Sequence, residues 1–266
     1  EEDFKWMMEG YEKGIITEQR LEEALTRILG LKASLGLHAK AKTEILQPKE
    51  VAMAKMRTEK NMAIAPEISD KAITLVKNNQ ELLPITPEKH KRVLLVEVKG
   101  PESAYGKLMA AMSAGKKKPI ELMKELLEKA GFEVEIYESP IDKMLKLPPQ
   151  ELLGAIMNVY AQKRPISDLT NNYDLIINVA DVPPTTDQRI QWAPLKGTPD
   201  IPFYVNEVPT IFISLQCPFH LADVPQVKTY INAYDSHDHT VSAIVDKLLG
   251  RSEFKGVSPV DAFCGF

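Results

Sequence analysis

The sequence has few cysteines, no basic excess and no long apolar segment. Its two cysteines, Cys217 and Cys264, follow no disulfide or catalytic motif, and 266 residues can bury a large core without a staple, so we expect two unpaired thiols. The net charge of −4 disfavours a nucleic-acid-binding surface. No apolar run approaches the roughly 20 residues that cross a bilayer. We expect a soluble protein, cytoplasmic or secreted, with no nucleic-acid or membrane partner.

Motifs for cofactors and metal ions are also absent. The loop after the first predicted sheet strand, KGPESAYGKLMAAMSAGKKKP, contains glycines but neither G-x-G-x-x-G nor a phosphate loop. No G-x-S-x-G nucleophile elbow occurs. His237-Asp238-His239 lacks further ligands at zinc spacing, so we interpret it as a solvated helix start. We therefore expect no cofactor and no metal site.

Helical signals dominate the first 66 residues. Residues 4–13 predict one helix, and a second begins at the N-cap candidate Thr17 and stops at Gly36. A third helix begins at Pro48, a residue that is favourable in the first turn, and Pro66 is expected to interrupt it.

The remaining sequence alternates apolar strands with amphipathic helices. The strands are predicted at 73–76, 93–98, 133–138, 174–180, 210–215 and 229–234, and the helices at 119–132, 148–163 and 239–250. This alternation predicts an α/β fold, in which helices flank a mostly parallel sheet in a Rossmann- or flavodoxin-like sandwich. We expect residues 1–66 to form a helical extension and residues 67–266 to form the sandwich domain.

A proline-rich segment, 182–209, leaves the carboxyl end of a central strand, where open α/β sheets bind ligands. Four of its residues, Asp187, Gln188, Arg189 and Trp192, carry side chains suited to ligand binding, and we predict that they contact substrate. The alternative is that Arg189 pairs with a surface carboxylate and Trp192 only anchors the loop.

Several stretches resemble glycoside hydrolase family 3. GIITEQRLEEALTRILGLKASLGL is similar to the helix that closes the catalytic barrel of that family, and AITLVKNNQELLPI to the strand signature that follows it. VPTIFISLQCPFHLADVPQVKTYINAYDS and GRSEFKGVSPVDAFCGF resemble the end of the second domain, most closely in members related to β-N-acetylhexosaminidases. The resemblance implies a C-terminal sandwich domain that follows the last helices of the barrel.

The same resemblance implies that the chemistry lies elsewhere. In the family, the nucleophilic aspartate and an Asp-His acid/base pair lie on barrel loops, and the Ser-Asp pairs at Ser69 and Ser167 stand in other contexts, so no catalytic residue is assigned here. The implied parent is a retaining β-glycosidase, acting on β-N-acetylglucosaminides. Its implied partners are the missing N-terminal barrel and a carbohydrate, with Asp187, Gln188, Arg189 and Trp192 at the sugar site.

The helix 14–37 tests this implication, because its apolar stripe would face a barrel that is not part of these residues. We therefore expect Leu25, Ile28 and Leu35 to be more exposed than a normal core stripe. Two other classes of function stay open at this point. The chain could be a ligand-binding module without chemistry, or a structural or dimerising α/β module, because a fold does not by itself imply a function.

Overall fold

The computed structural model describes residues 1–56, 58–100, 117–138, 147–148, 150–151, 154, 166–183 and 204–265. The chain divides into two compact units, Glu1–Asn61 and Met62–Phe266. The sequence predicted a division into a helical extension, 1–66, and a sandwich domain, 67–266. The identity of these parts as the end of a barrel and a separate second domain stays a prediction.

The first unit is helical. It contains α1 (Glu2–Glu12), α2 (Glu18–Ser34), α3 (Lys42–Ile45) and α4 (Lys49–Met56), with a short 3-10 helix at Leu37–Ala39. Thr17 caps α2, since its Oγ1 accepts a hydrogen bond of 3.2 Å from the backbone N–H of Arg20. Gly36 has a φ of 66°, the left-handed conformation in which glycine ends helices. Both predicted ends of this helix are therefore confirmed.

The apolar stripe of α2 faces solvent. Leu25, Ile28 and Leu35 are 46%, 50% and 54% exposed, and neither α1 nor α2 contains a buried residue. The expected exposure of the stripe is confirmed. Soluble proteins rarely leave so many large apolar side chains uncovered. The same unit also exposes Phe4, Trp6, Met7, Met8, Tyr11, Ile15, Leu29, Leu31, Ile45, Leu46, Val51, Met53 and Met56.

The predicted interruption at Pro66 is wrong. A single helix, α5, runs through Pro66 from Glu59 to Ala72. The helix break comes earlier, where Thr58 Oγ1 accepts a hydrogen bond of 3.2 Å from the Asn61 N–H and caps the new helix. Proline removes only one backbone donor, and tertiary hydrogen bonds hold the turn beyond it. The hydroxyl of Ser69, for example, lies 2.9 Å from that of Thr240 in the core.

The second unit contains a six-stranded sheet. The strands are β1 (Thr74–Asn78), β2 (Arg92–Val98), β3 (Glu133–Ile136), β4 (Leu175–Ala180), β5 (Thr210–Ser214) and β6 (Thr229–Asn232), in the order β1-β6-β5-β4-β2-β3. β1 is antiparallel to β6, and every other neighbouring pair is parallel. Among the described residues, this unit contains α6 (Pro119–Lys129), α7 (Ser167–Thr170), α8 (Asp238–Leu248), a short 3-10 helix at His220–Ala222 and most of α5. The α/β prediction is confirmed, while the predicted helix 148–163 lies largely outside the described residues.

Two apolar layers cover the sheet, because successive strand residues point to opposite faces. On one face Leu95, Ile177 and Ile213 pack in a core with residues of α6 and α8. On the other face Ile176 and Phe212 belong to a second core, in which the rings of Phe212 and Tyr230 stack at 5.4 Å. Asn178, Ser214 and Asn232 share the face that carries Phe212 and form a buried polar layer within it.

The cysteines are both free, as expected. Cys217 is buried, and burial raises the pKa of its thiol, while Cys264 is exposed. Among the described residues, no helix has the length and apolar content needed to cross a membrane.

Candidate functional site

The order of the strands defines a switch point in the sheet. The chain passes from β2 outward to β3 and then returns to the other side of β2 to form β4 and β5. Crevices at such reversals, outside the carboxyl ends of parallel strands, are where open α/β sheets bind ligands. Asp181 directly follows β4 at this point, and Gln216 follows β5, its neighbour.

Asp181 and Gln216 form a polar pair at this edge. Gln216 Nε2 donates a hydrogen bond of 2.6 Å to Asp181 Oδ1. Asp181 Oδ2 and Gln216 Oε1 make no other hydrogen bond within the described residues, so both oxygens can accept hydrogen bonds from a ligand.

Three buried polar residues fix the loop after β5. The Ser214 hydroxyl donates a hydrogen bond of 2.5 Å to the carbonyl of Cys217. The Asn232 amide donates one of 3.1 Å to the carbonyl of Pro218. Ser214 and Asn232 are neighbours across β5 and β6, and both point to the face of the sheet that carries Phe212. The sheet itself therefore determines the path of this loop.

His220 completes this network as a neutral ring. Its Nδ1 lies 2.8 Å from Ser214 Oγ. Because the only proton of Ser214 is used on the carbonyl of Cys217, Nδ1 carries the proton and donates to Ser214, which leaves Nε2 unprotonated. Burial lowers the pKa of His220 to about 4. Ser214 and His220 are both buried, so this hydroxyl–imidazole pair is out of reach of a substrate and serves the structure of the loop.

Further polar atoms lie in the same buried layer. Tyr204 Oη donates a hydrogen bond of 2.9 Å to Asn178 Oδ1 on β4, and burial raises the pKa of the Tyr204 phenol. Asn178 Nδ2, His220 Nε2 and Asn232 Oδ1 have no hydrogen-bond partner among the residues that the structure describes. Buried side-chain atoms that can still form hydrogen bonds thus lie beneath the carboxyl ends of β4, β5 and β6.

The histidines near α8 occupy a helix start, as predicted. Asp235 accepts hydrogen bonds from the N–H and Nδ1 of His237, at 3.1 and 2.5 Å, and from Thr240 Oγ1 at 2.5 Å. Since Thr240 donates to Asp235, the Ser69 hydroxyl is the donor toward Thr240. The described part of the chain contains no group of three histidine, cysteine or carboxylate side chains that could hold a metal ion.

The site residues predicted from the sequence are not among those whose geometry is given above. Asp187, Gln188, Arg189 and Trp192 fall outside the described residues, and their role stays a prediction. The sequence reasoning did not single out Asn178, Ser214, Asn232 or Gln216. A signal was present for three of them. Asn178, Ser214 and Asn232 are polar residues within otherwise apolar strands, and the two-residue period places them on one face.

Comparison with known proteins adds a relationship that spans the whole chain. No family model matches the sequence. A protein of Cellulomonas fimi named beta-N-acetylglucosaminidase/beta-glucosidase is 36% identical over 268 residues, which cover 100% of this chain and 43% of that protein. The chain thus spans less than half the length of this relative.

The solved structures of beta-glucoside phosphorylase BglX are similar in sequence and in fold. One is 38% identical with a TM-score of 0.65, and covers 100% of this chain and 42% of its own. A second, bound to 2FGlc, is 39% identical with the same TM-score and coverage.

These matches agree with the ordered signatures at both ends of the sequence and with the observed α/β sheet. The chain belongs to glycoside hydrolase family 3 and corresponds to the C-terminal α/β part of such a sequence.

Proposed function

We propose that this chain serves as the C-terminal portion of an enzyme that cleaves β-linked glucosides or N-acetylglucosaminides. In this proposal the reacting carboxylates lie on a barrel domain outside these 266 residues, and this portion packs on the barrel and shapes the rim of the sugar site. The observation that carries the proposal is the match, over the full chain, to less than half of a protein named for both activities. Both activities in that name concern a β-glycosidic bond. That the substrate carries an N-acetyl group is the more specific part of the proposal.

The exposed apolar residues of the first unit support the barrel contact. Leu25, Ile28 and Leu35 lie on one helix at the spacing of a packing face, yet each is about half exposed. Because each is already about half covered, complete burial adds roughly half of the 1.5–3 kcal/mol gained when a fully exposed apolar side chain is buried. A stripe of this kind favours a large, stable interface with a neighbouring domain over the small, polar contact of a transient partner.

We expect the chain alone to show no turnover of an aryl β-N-acetylglucosaminide or an aryl β-glucoside. Glycoside cleavage needs a nucleophile and an acid/base on opposite sides of the scissile bond, and we propose that neither is contributed by this chain. Release of the chromophore is measured with purified chain at high concentration, with the Cellulomonas fimi relative as the positive control. Turnover that is abolished by a point substitution within this chain would contradict the proposal.

The loop residues give a second expected result in an enzyme that also contains the barrel. Arg189→Ala and Trp192→Ala are each expected to lower kcat/KM by an amount that corresponds to about 1–3 kcal/mol of lost transition-state stabilisation. The reason is that polar groups of the sugar site and a stacking surface are lost. Arg251→Ala is the matched control, since Arg251 lies beyond the end of α8 and pairs with Asp246 on the surface. Unchanged kinetics in both loop variants would remove this loop from the site.

Asp187→Asn tests which domain supplies the acid. We expect the pH profile of kcat to keep both limbs, because the acid is placed on the barrel. If the basic limb disappears and substrates with good leaving groups restore the rate, Asp187 is the acid and the placement on the barrel is wrong.

A further inference from the structure

We infer that Asp181, Gln216 and Phe219 form a carbohydrate subsite at the carboxyl edge of the sheet. The inference rests on the proposed function for the class of ligand, and it adds a binding site located within this chain. Its ligand is a β-glucopyranoside that offers two neighbouring hydroxyls and an apolar ring face.

Phe219 is exposed, whereas the other described phenylalanine and tyrosine side chains of this unit are buried or partly buried. Its side chain is 41% exposed, and the other large apolar residues exposed in the described part of this unit are aliphatic or methionine. Phe219 lies in the loop after β5, three residues beyond Gln216. Phe219 and Gln216 thus belong to the same loop at the carboxyl end of β5.

The backbone around Phe219 is fixed by buried groups. The carbonyls of Cys217 and Pro218, the two residues before it, accept hydrogen bonds from Ser214 and Asn232, and the residue after it, His220, donates to Ser214. Ser214, His220 and Asn232 are buried. An aromatic ring on a loop that is already ordered loses little conformational freedom when a ligand binds, so the exposure of Phe219 suits recognition.

The polar half of the subsite consists of acceptors. Asp181 Oδ2 and Gln216 Oε1 are the oxygens left over from the hydrogen bond of 2.6 Å between the two side chains. Neighbouring hydroxyls of a sugar can donate to two such oxygens, while the aliphatic hydrogens of a β-pyranose ring pack on an aromatic face. The carboxylate of Asp181 repels phosphate groups, which disfavours a nucleotide or a sugar phosphate at this place.

The test uses the 266-residue chain labelled with 4-fluorophenylalanine. The ¹⁹F resonance of Phe219 is assigned with Phe219→Leu, and the probe is methyl β-D-glucopyranoside, added up to high millimolar concentration because a single sugar binds weakly. We expect a saturable shift of the Phe219 resonance. Phe4, which is more exposed and lies in the other unit, is the matched control and is expected not to respond.

Two variants separate the carboxylate from general effects. Asp181→Asn keeps an acceptor for Gln216 but replaces the second oxygen by a donor, and it is expected to weaken the sugar about fivefold. Asp246→Asn, on the surface of α8, is expected to leave the dissociation constant unchanged. A Phe219 signal that does not saturate, an equal response of Phe4, or an unchanged affinity in Asp181→Asn would each overturn the inference.

The outcome is distinguishable from a failure of the proposed function. If the chain supports catalysis when joined to a barrel but Phe219 does not respond to the sugar, only this subsite is wrong. If Phe219 responds as expected but the chain supports no catalysis when joined to a barrel, the proposed function is wrong. The sugar-binding surface is then still supported by its own measurement.

Discussion

Asp70→Asn is expected to destabilise the unit Met62–Phe266 by about 2–3 kcal/mol, less than the cost of breaking a fully buried ion pair, because water partly screens the 40% exposed Asp70. The buried charge is the ammonium group of Lys247 on α8, and Lys247 is only 2% exposed. Its Nζ donates hydrogen bonds to Asp70 Oδ1 at 2.9 Å, to Ser252 Oγ at 3.0 Å and to the carbonyl of Glu253 at 2.6 Å. Asparagine keeps an acceptor at position 70 but removes the only carboxylate that contacts this ammonium within the described residues.

The same pair predicts a dependence on pH. Hydrogen bonds from Ser252 and Lys247 lower the pKa of Asp70 below its usual value of 3.8. The ionised carboxylate is thus favoured in the folded state, so the stabilisation is fully present above pH 3.8 and is lost as the pH falls through the lower pKa of the folded protein. We therefore expect the difference in unfolding free energy between the wild type and Asp70→Asn to be constant near neutral pH and to shrink below about pH 4.

The measurement is denaturant unfolding of the wild type and the variants, with Glu67→Gln as the matched control. Glu67 lies one turn before Asp70 on α5 and pairs with Lys71 at 2.6 Å, but both of these side chains are exposed. An exposed pair contributes only about 0–1 kcal/mol. Lys247→Met is expected to cost less than Asp70→Asn, because the partly exposed Asp70 remains solvated and bonded to Ser252. Equal effects of Asp70→Asn and Glu67→Gln would contradict the role given to Lys247.

Gly256→Ala is expected to destabilise the same unit by about 3 kcal/mol, the upper end of the usual cost of overpacking. A Cβ at this position would lie 2.4 Å from the carbonyl oxygen of Ala72 and 2.6 Å from that of Ile73. Both atoms belong to the backbone at the junction of α5 and β1, so the clash cannot be relieved by a change of rotamer. The C-terminal segment must therefore move away from this junction.

Gly30→Ala provides the control for the same chemical change. Nothing lies within 4 Å of the corresponding Cβ position at Gly30, in the middle of α2. Because alanine favours the helix more than glycine does, this variant is expected to be neutral or more stable by up to about 1 kcal/mol. Thermal and denaturant unfolding measure both variants, and a Gly256→Ala protein as stable as the wild type would show that the segment does not pack as closely as described.

The sequence predicted the sheet well because its strands are short, continuous and apolar. Segments such as LIINVA and TIFIS are buried on both faces in a parallel sheet, and this pattern needs no tertiary information. The break of the helix near Pro66 was misplaced because a cap at Thr58 and a tertiary hydrogen bond at Ser69 outweigh one lost backbone donor. Local propensity contains neither of these terms.

The site was harder to predict because its groups meet across strands. Ser214 and Asn232 become neighbours only through the register of β5 and β6, and the proton position on His220 depends on which carbonyl accepts from Ser214. From the sequence alone, Lys247 is an ordinary lysine in the last turn of a helix. Its burial depends on Asp70, 177 residues away in the chain.

A chimera tests the central claim most directly. The segment of the Cellulomonas fimi relative that aligns with this chain is replaced by the 266-residue chain, and turnover of an aryl β-N-acetylglucosaminide and an aryl β-glucoside is measured. If this chain is the C-terminal portion of such an enzyme, the chimera is active, and aspartate at Leu25, Ile28 and Leu35 abolishes the activity by breaking the contact with the barrel. A folded, soluble chimera without turnover, or one whose activity survives the three aspartates, would contradict the account.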